Sequence, residues 1–144
     1  MKLKVNFISK ISKVAKGNEL VFVKNKNIQN KSLKPISKLI LDNQLFKERL
    51  FLQKEYKGRD YIFINCSNST ISSDYENIGS KLFDYLKNNK IENSFIYSSN
   101  ANINNIQLEK IIHGAKLKSY NFDIYKSKNK KNKNVNLNIV GKQT

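Results

Sequence analysis

A short run in which every residue is apolar, residues 61–64 (YIFI), constrains the fold of this chain more than any other feature. A strand with apolar side chains on both faces has to be covered on both faces, as in a sheet between two layers of helices. Residues 20–23 and 95–97 are further short apolar runs, and residues 3–7 alternate as in a strand with one wet face. We therefore expect residues 61–64 to form the centre of a sheet.

Segments with helical spacing separate these strands. Ser32 can cap a first helix, and Ser73 with Glu76 forms a serine-x-x-glutamate capping box at the start of a second. The apolar positions of the first helix are Leu33, Ile36, Leu39 and Ile40. Residues 103–117 predict a third helix, with one apolar stripe made of Leu108, Ile111, Ile112 and Ala115. This alternation predicts an α/β fold with a mixed, partly parallel sheet between helices.

The length of 144 residues and an apolar content of 39% suffice for one domain with a real core. We expect a single α/β domain over residues 1–125, followed by a basic loop over residues 126–134 (KSKNKKNKN). Residues 135–144 are interpreted as a terminal strand or as the start of a linker. In residues 135–139 apolar side chains alternate with asparagines, as in an edge strand or a strand that awaits a partner.

The formal net charge of +16 favours polyanionic partners, because a strongly positive surface attracts nucleic acid whatever its fold. Nearly all of this charge is lysine, with Arg49 and Arg59 the only arginines, and the abundance of lysine and asparagine also fits a composition bias of the coding sequence. Lysine is the weaker choice for bidentate recognition of phosphates. Both interpretations stay open, and the candidate nucleic-acid-binding residues are Lys126, Lys128, Lys130, Lys131 and Lys133.

Residues with catalytic or metal-binding potential are few. Cys66 is the only cysteine, which excludes an intrachain disulfide and a cysteine-based zinc site, and we interpret it as a buried, inert thiol. The only histidine, His113, is interpreted as a packed or half-exposed helix residue, because a general base needs a partner and a pocket. The chain lacks an apolar run long enough to span a bilayer and a signal-peptide core, which predicts a cytoplasmic protein.

The most specific pattern follows His113, in the stretch GAKLKSYNFDIYK. It resembles the end of the N-terminal domain of the leucyl aminopeptidase (cytosol aminopeptidase) family, in which a helix closes with Gly-Ala-x-Leu-x-Ser-Tyr-x-Phe-Asp-x-Tyr-Lys. The matching residues are Gly114, Ala115, Leu117, Ser119, Tyr120, Phe122, Asp123, Tyr125 and Lys126. The order of predicted elements is also similar over essentially the whole chain. Two departures are the segment Asn65-Cys66-Ser67, where the family usually has glycines, and His113, where an acidic residue is more usual.

The resemblance implies a macro-domain-like fold placed ahead of a larger catalytic domain. In that family the catalytic domain binds two divalent metals, zinc or manganese, and releases N-terminal amino acids from peptides within a hexamer. The family's metal and catalytic motifs lie beyond residue 144, so the resemblance assigns no catalytic or metal-binding residue to this chain. The resemblance therefore implies an inactive domain with a role in assembly or regulation. Its partner would be an aminopeptidase catalytic domain in cis or as a separate chain, in a homo-oligomer when full length.

Within the motif, we interpret Tyr120, Phe122 and Tyr125 as anchors that hold the segment leaving the last helix against the sheet. On this interpretation Tyr120→Ala destabilises the domain by a few kcal/mol, about what truncation of a large core residue costs. Gly114 would let two backbones approach closely. Two alternatives remain for function: DNA binding through the lysines, and nucleotide or ADP-ribose binding by analogy with macro domains, which the absence of a glycine-rich loop after residues 61–64 opposes.

Overall fold

Strands and helices alternate along the chain in the computed structural model, which describes residues 3–8, 17–24, 33–41, 50–66, 71–97, 103–126 and 135–140. Of residues 41 and 121–126 it describes the backbone. The elements in chain order are β1 (Leu3–Ile8), β2 (Asn18–Val23), α1 (Lys34–Leu41), β3 (Phe51–Tyr56), β4 (Arg59–Asn65), α2 (Ser72–Asn88), β5 (Asn93–Tyr97), α3 (Asn105–Lys126) and β6 (Val135–Val140).

The strands form one six-stranded sheet in the order β1-β6-β5-β2-β4-β3. All neighbouring strands are parallel except β3 and β4, which form an antiparallel hairpin. Lys57 and Gly58, between β3 and β4, both have positive φ angles of 51° and 77°, the left-handed conformation that a tight hairpin turn requires. The structure confirms the predicted α/β class and the mixed, mostly parallel sheet.

Helices cover both faces of the sheet around β4. Ile62 and Ile64 belong to the core under α2 and α3, whereas Tyr61 and Phe63 belong to the core under α1, and all four are buried. The apolar run was therefore correctly interpreted as a strand covered on both faces. Its predicted place at the centre of the sheet is wrong. Strand β4 is second from the edge, and β5, β6 and β1 all lie on the far side of β2.

Strand β6 lies inside the sheet, between β1 and β5, so its interpretation as an edge strand is wrong. Of the asparagines that suggested a wet face, Asn138 is instead paired within the sheet. Asn138 is buried, donates its Nδ2 to the Ser94 carbonyl oxygen at 3.1 Å and accepts a 3.1 Å bond from Nδ2 of Asn6. A buried amide with partners on both neighbouring strands is compatible with an interior strand. The sheet therefore includes residues beyond position 125.

Helix α1 has the predicted apolar side, since Leu33, Ile36 and Ile40 are buried against β2 and β4. Leu39 is 67% exposed, so its assignment to that side is wrong. Ser32, the predicted cap, lies outside the described residues.

Helix α2 begins two residues earlier than the predicted capping box. Ile71 is the N-cap, and its N–H donates to the Asp74 carboxylate at 3.1 Å while its carbonyl oxygen accepts the Asp74 N–H at 3.0 Å. The box of Ser73 and Glu76 is therefore wrong, although the residue type at the third helical position is the expected acid. Glu76 instead faces Lys110 of α3, with 4.0 Å between the carboxylate and the ammonium group.

Helix α3 is longer than predicted and continues to Lys126, so the whole motif from Gly114 lies within it. Its predicted apolar stripe is confirmed, because Leu108, Ile111, Ile112 and Ala115 are all buried. None of the helices in the described part of the chain is both long enough and apolar enough to cross a membrane.

Helices α2 and α3 touch through their backbones at two glycines. A Cβ atom at Gly79 would overlap the carbonyl oxygen of Ile111, and a Cβ atom at Gly114 would overlap the carbonyl oxygen of Glu76. The close approach predicted for Gly114 is thus confirmed, and Gly79 provides the matching position on the other helix.

Gly114→Ala should therefore lower the free energy of unfolding by about 1–3 kcal/mol, because the new methyl group would force the two helix backbones apart. Urea unfolding followed by circular dichroism would measure it. Alanine is the better helix former by about 1 kcal/mol, so an increase in stability would show that the helices do not meet here. Lys116→Ala, at an exposed position of the same helix, is the control and should leave stability nearly unchanged.

Candidate functional site

The family-like motif divides into a buried side and an exposed side of α3. Gly114 and Ala115 are buried against α2, and Ser119 is 4% exposed. Leu117 and Tyr120 are exposed, at 48% and 65%. The side chains of Phe122, Asp123, Tyr125 and Lys126 lie outside the described residues.

Ser119 connects the last helix to the first strand. Its Oγ accepts a 2.8 Å hydrogen bond from the backbone N–H of Leu3, across 116 residues of sequence. Since β1 is an edge strand paired only with β6 among the described strands, this bond satisfies a backbone donor of β1 and holds the strand under α3.

Tyr120 is exposed and does not anchor the chain against the sheet, so that interpretation is wrong and the expected loss of stability in Tyr120→Ala has no basis in the structure. The predicted helix ends at residue 117, but α3 continues to Lys126, and helical geometry then places Tyr120 two turns after His113, on the outward side. His113 is a helix residue, as predicted, and of the two alternatives, packed or half-exposed, the packed one is wrong because its side chain is exposed.

An open groove of about 430 Å³ lies between α3 and the end of β1. It is lined by Phe7, Glu109, Lys110, Ile112, His113 and Lys116. Phe7 is 56% exposed although it follows Leu3 and Val5 on the helix-facing side of β1. The groove thus combines exposed apolar surface with three charged side chains and the single imidazole.

A polar contact lies at the carboxyl end of the sheet, where α/β folds commonly place ligand sites. Lys24, just after β2, donates its Nζ to the Tyr75 hydroxyl at 2.6 Å and lies 5.3 Å from the centroid of that ring. Tyr75 is 2% exposed, so the contact fixes the first turn of α2 against the end of β2. Nucleotide or ADP-ribose binding at this end stays a prediction.

Cys66 lies at the same end and is fully buried. Burial raises the pKa of the Cys66 thiol to about 12, and the positive charge of Lys24 offsets only part of that rise. The predicted burial of Cys66 is confirmed. Because the thiolate is the reactive form, the raised pKa favours an inert thiol, and its inertness stays a prediction.

Among the described residues, no three histidine, cysteine, aspartate or glutamate side chains converge so that they could hold a metal ion. The two metals remain a property implied by the resemblance. The candidate nucleic-acid-binding residues Lys128, Lys130, Lys131 and Lys133 lie outside the described residues, and that function also stays a prediction.

Comparison with known proteins shows the fold. No family model and no curated protein matches the sequence. A solved structure of a mutant of tomato leucine aminopeptidase is similar over 99% of this chain, with a TM-score of 0.64 and 16% sequence identity. The chain spans 33% of that protein. The macrodomain of Thermus aquaticus DarG is similar over 97% of this chain and 99% of its own length, with a TM-score of 0.51 and 7% identity. The expected macro-domain-like fold is thereby confirmed.

Sequence reasoning missed the exposed apolar residues of α3 as a possible site. The sequence does contain a pattern that indicates them: Ile106, His113 and Tyr120 repeat every seven residues and therefore lie on one side of a helix. The predicted helix ends at residue 117, three residues before Tyr120, so it does not contain the whole repeat.

Substitution by alanine should affect stability differently at two adjacent residues of α3. Ser119→Ala removes the acceptor of the Leu3 N–H and should lower the free energy of unfolding by about 1–3 kcal/mol. Tyr120→Ala should change it by no more than about 0.5 kcal/mol, as at other exposed positions. Thermal and urea unfolding of both variants would check this, and equal losses would contradict the placement of the two side chains.

Cys66 should resist thiol reagents in the folded protein. With a pKa of about 12 only about one thiol in ten thousand is ionised at pH 8, and burial further blocks access. We expect no reaction with Ellman's reagent (DTNB) over minutes at pH 8 and complete reaction in denaturant. Rapid labelling of the native protein would mean that the carboxyl end of β4 is open.

Proposed function

We propose that this chain is a non-catalytic domain of a leucyl aminopeptidase-type metallo-exopeptidase. In this proposal it supports the assembly or regulation of a catalytic domain that holds two divalent metals and removes N-terminal amino acids from peptides. The catalytic domain belongs to the same polypeptide or to a separate chain.

The similarity to the tomato leucine aminopeptidase structure carries the proposal. It extends over 99% of this chain but only 33% of the larger protein, which is the relation expected of one domain and a multidomain enzyme. The DarG macrodomain is also similar over nearly its full length, but at a lower TM-score, so the aminopeptidase is the better structural match of the two.

The contacts of the motif add support of a second kind. Gly114, Ala115 and Ser119 occupy buried positions where α3 meets α2 and β1. Glycine is needed at the helix contact and a small hydroxyl residue at the strand contact. The resemblance is therefore based partly on residues that this fold needs at those positions.

The mass of the native polypeptide tests the proposal directly. An antibody raised against this domain would be used on an extract of the source cells. A band much heavier than 16.7 kDa would mean that the catalytic domain is in the same chain. A band at 16.7 kDa should be accompanied by a separate metallopeptidase chain that copurifies with the domain, and its absence from the purified material would contradict the proposal.

The purified 144-residue chain should not hydrolyse leucine p-nitroanilide, with or without added manganese or zinc. The proposed catalytic groups belong to the other domain, so the rate should equal that of buffer with the same metal. Hydrolysis that follows the protein through its last purification step and disappears with a chelator would overturn the non-catalytic role.

DNA binding is the second candidate, and the net charge of +16 is the observation that favours it. Binding should weaken steeply with salt because counterions are released from DNA. Replacing Lys128, Lys130, Lys131 and Lys133 by glutamate should abolish binding measured by fluorescence anisotropy. The control replaces four lysines elsewhere, Lys34, Lys38, Lys54 and Lys81, with the same change in net charge. If the two sets of substitutions weaken binding equally, the binding is nonspecific attraction of DNA to a basic protein.

A further inference from the structure

Two buried polar atoms lie side by side in the sheet, and within the described part of the chain neither has a hydrogen-bond partner. They are Oδ1 of Asn18, on β2, and Oγ of Ser94, on β5. Asn18 and Ser94 are directly opposite each other in the parallel pair of β2 and β5, so their side chains extend from the same face of the sheet. A buried polar atom without a partner loses the hydrogen bond that it makes to water in the unfolded chain, which makes such a pair unusual.

The face that both side chains share is the one under α2 and α3. Leu20, two residues after Asn18, and Ile96, two residues after Ser94, both belong to the main core on that side. Ser94 is fully buried and Asn18 is half-buried. The pair therefore lies at the edge of the main core, near the amino ends of the two strands, and bulk solvent reaches neither of the two oxygen atoms.

The same pair lies where the two halves of the sheet meet. Strands β2 and β4 are paired over six residues each and β5 and β6 over five, but β2 and β5 are paired over two, Asn18 with Ser94 and Glu19 with Phe95. This short pairing connects β1, β6 and β5 on one side to β2, β4 and β3 on the other. A bridge between the Asn18 and Ser94 side chains would therefore strengthen the shortest connection in the sheet.

The chemistry of the two side chains defines what can bridge them. They do not bond to each other directly, so the bridge has to be a third group. Oδ1 of Asn18 accepts hydrogen bonds, whereas the Ser94 hydroxyl can both donate and accept. Water is the smallest molecule that accepts from Ser94 and donates to Asn18 at the same time. Serine is also smaller than its neighbours on this face, Leu137 and Ile96, which favours space for a small ligand beside it.

The carboxylates of the same row of residues favour water over a metal cation. Asp60 is opposite Asn18 on β4, and Glu55 is opposite Asp60 on β3. Both are exposed and lie on the side of Asn18 that is away from Ser94. Calcium and magnesium take about six to eight oxygen ligands, several of them charged, whereas the two buried oxygen atoms here are neutral. The Asp60 carboxylate can instead accept the second hydrogen of a water, and about three hydrogen bonds are typical of a buried water.

We infer that a water molecule binds between Asn18 and Ser94 as an internal part of the fold. It accepts the Ser94 O–H, donates to Oδ1 of Asn18, and thereby links the two halves of the sheet beside their two paired residues. The site lies within the sheet, so it is present whether or not a catalytic domain accompanies the chain.

A crystal structure of the 144-residue chain at about 1.5 Å resolution tests the site directly. We expect density for one molecule at hydrogen-bond distance, about 2.6–3.2 Å, from both Oδ1 of Asn18 and Oγ of Ser94. A direct bond between the two side chains, a molecule that contacts only one of them, or no density between them would overturn the inference. So would about six oxygen ligands at distances near 2.4 Å, because the site would then hold a cation.

Ser94→Ala provides a test in solution, because the sign of its effect depends on the water. If the Ser94 hydroxyl is buried without a partner, its removal should leave the Tm unchanged or raise it. If the hydroxyl holds the water, the Tm should fall by about 2–4 °C, the change expected for one lost hydrogen bond in a chain of this length. Ser73→Ala is the control, since it removes the same group at an exposed position of α2 and should not lower the Tm.

A double-mutant cycle tests whether the two side chains share one ligand. Asn18→Ala should lower the Tm by about as much as Ser94→Ala, and the double variant should lose little more than either single variant. Losses that add up in the double variant would contradict a shared water. Asn77→Ala, at an exposed asparagine of α2, is the matched control and should combine additively with Ser94→Ala.

Discussion

The backbone contact between α2 and α3 determines the geometry of the main core. Because Gly79 and Gly114 each lie against a carbonyl oxygen of the opposite helix, the two axes are closer than side chains would permit. Tyr75, Ile78 and Leu82 of α2 can then share one core with Ile111 and Ala115 of α3 and with β2, β4 and β6 of the sheet. Two ion pairs between the helices, Glu76 with Lys110 and Asp84 with Lys118, are part-exposed and contribute little beside this contact.

Helix α3 also contacts the half of the sheet that is made of β1, β6 and β5 and joins the two ends of the described chain. Strand β6 completes the sheet only by entering between β1 and β5, the first and fifth strands along the chain. Side chains support this long-range insertion: Ser119 holds the Leu3 N–H, and Asn138 bonds to both Asn6 and Ser94. The Asn138 amide has partners on both neighbouring strands, which is why an asparagine can occupy an interior strand at 9% exposure.

The sequence predicts what depends on local periodicity and fails where distant segments decide. Two predictions are correct because the local pattern of apolar residues shows directly which side chains are buried. They are the apolar run of β4 and the stripe of α3, made of Leu108, Ile111, Ile112 and Ala115. The predicted place of β6 was wrong because its asparagines resemble a solvated face, whereas the partners of Asn138, Asn6 and Ser94, are 132 and 44 residues away in sequence. The predicted anchoring role of Tyr120 was wrong because a motif identifies residues but not the point at which their helix ends.

The residues of the motif on α3 also divide into those that the packing of the fold explains and those that it does not. Gly114, Ala115 and Ser119 contribute to the packing of α3, and the fold explains why they are small. Leu117 and Tyr120 belong to the same motif but keep about half or more of their surface in water, so folding gains little from them. Exposed apolar area carries a risk of nonspecific association that a charged side chain would avoid. The contacts of the fold therefore explain the small residues of the motif but not its two large exposed residues.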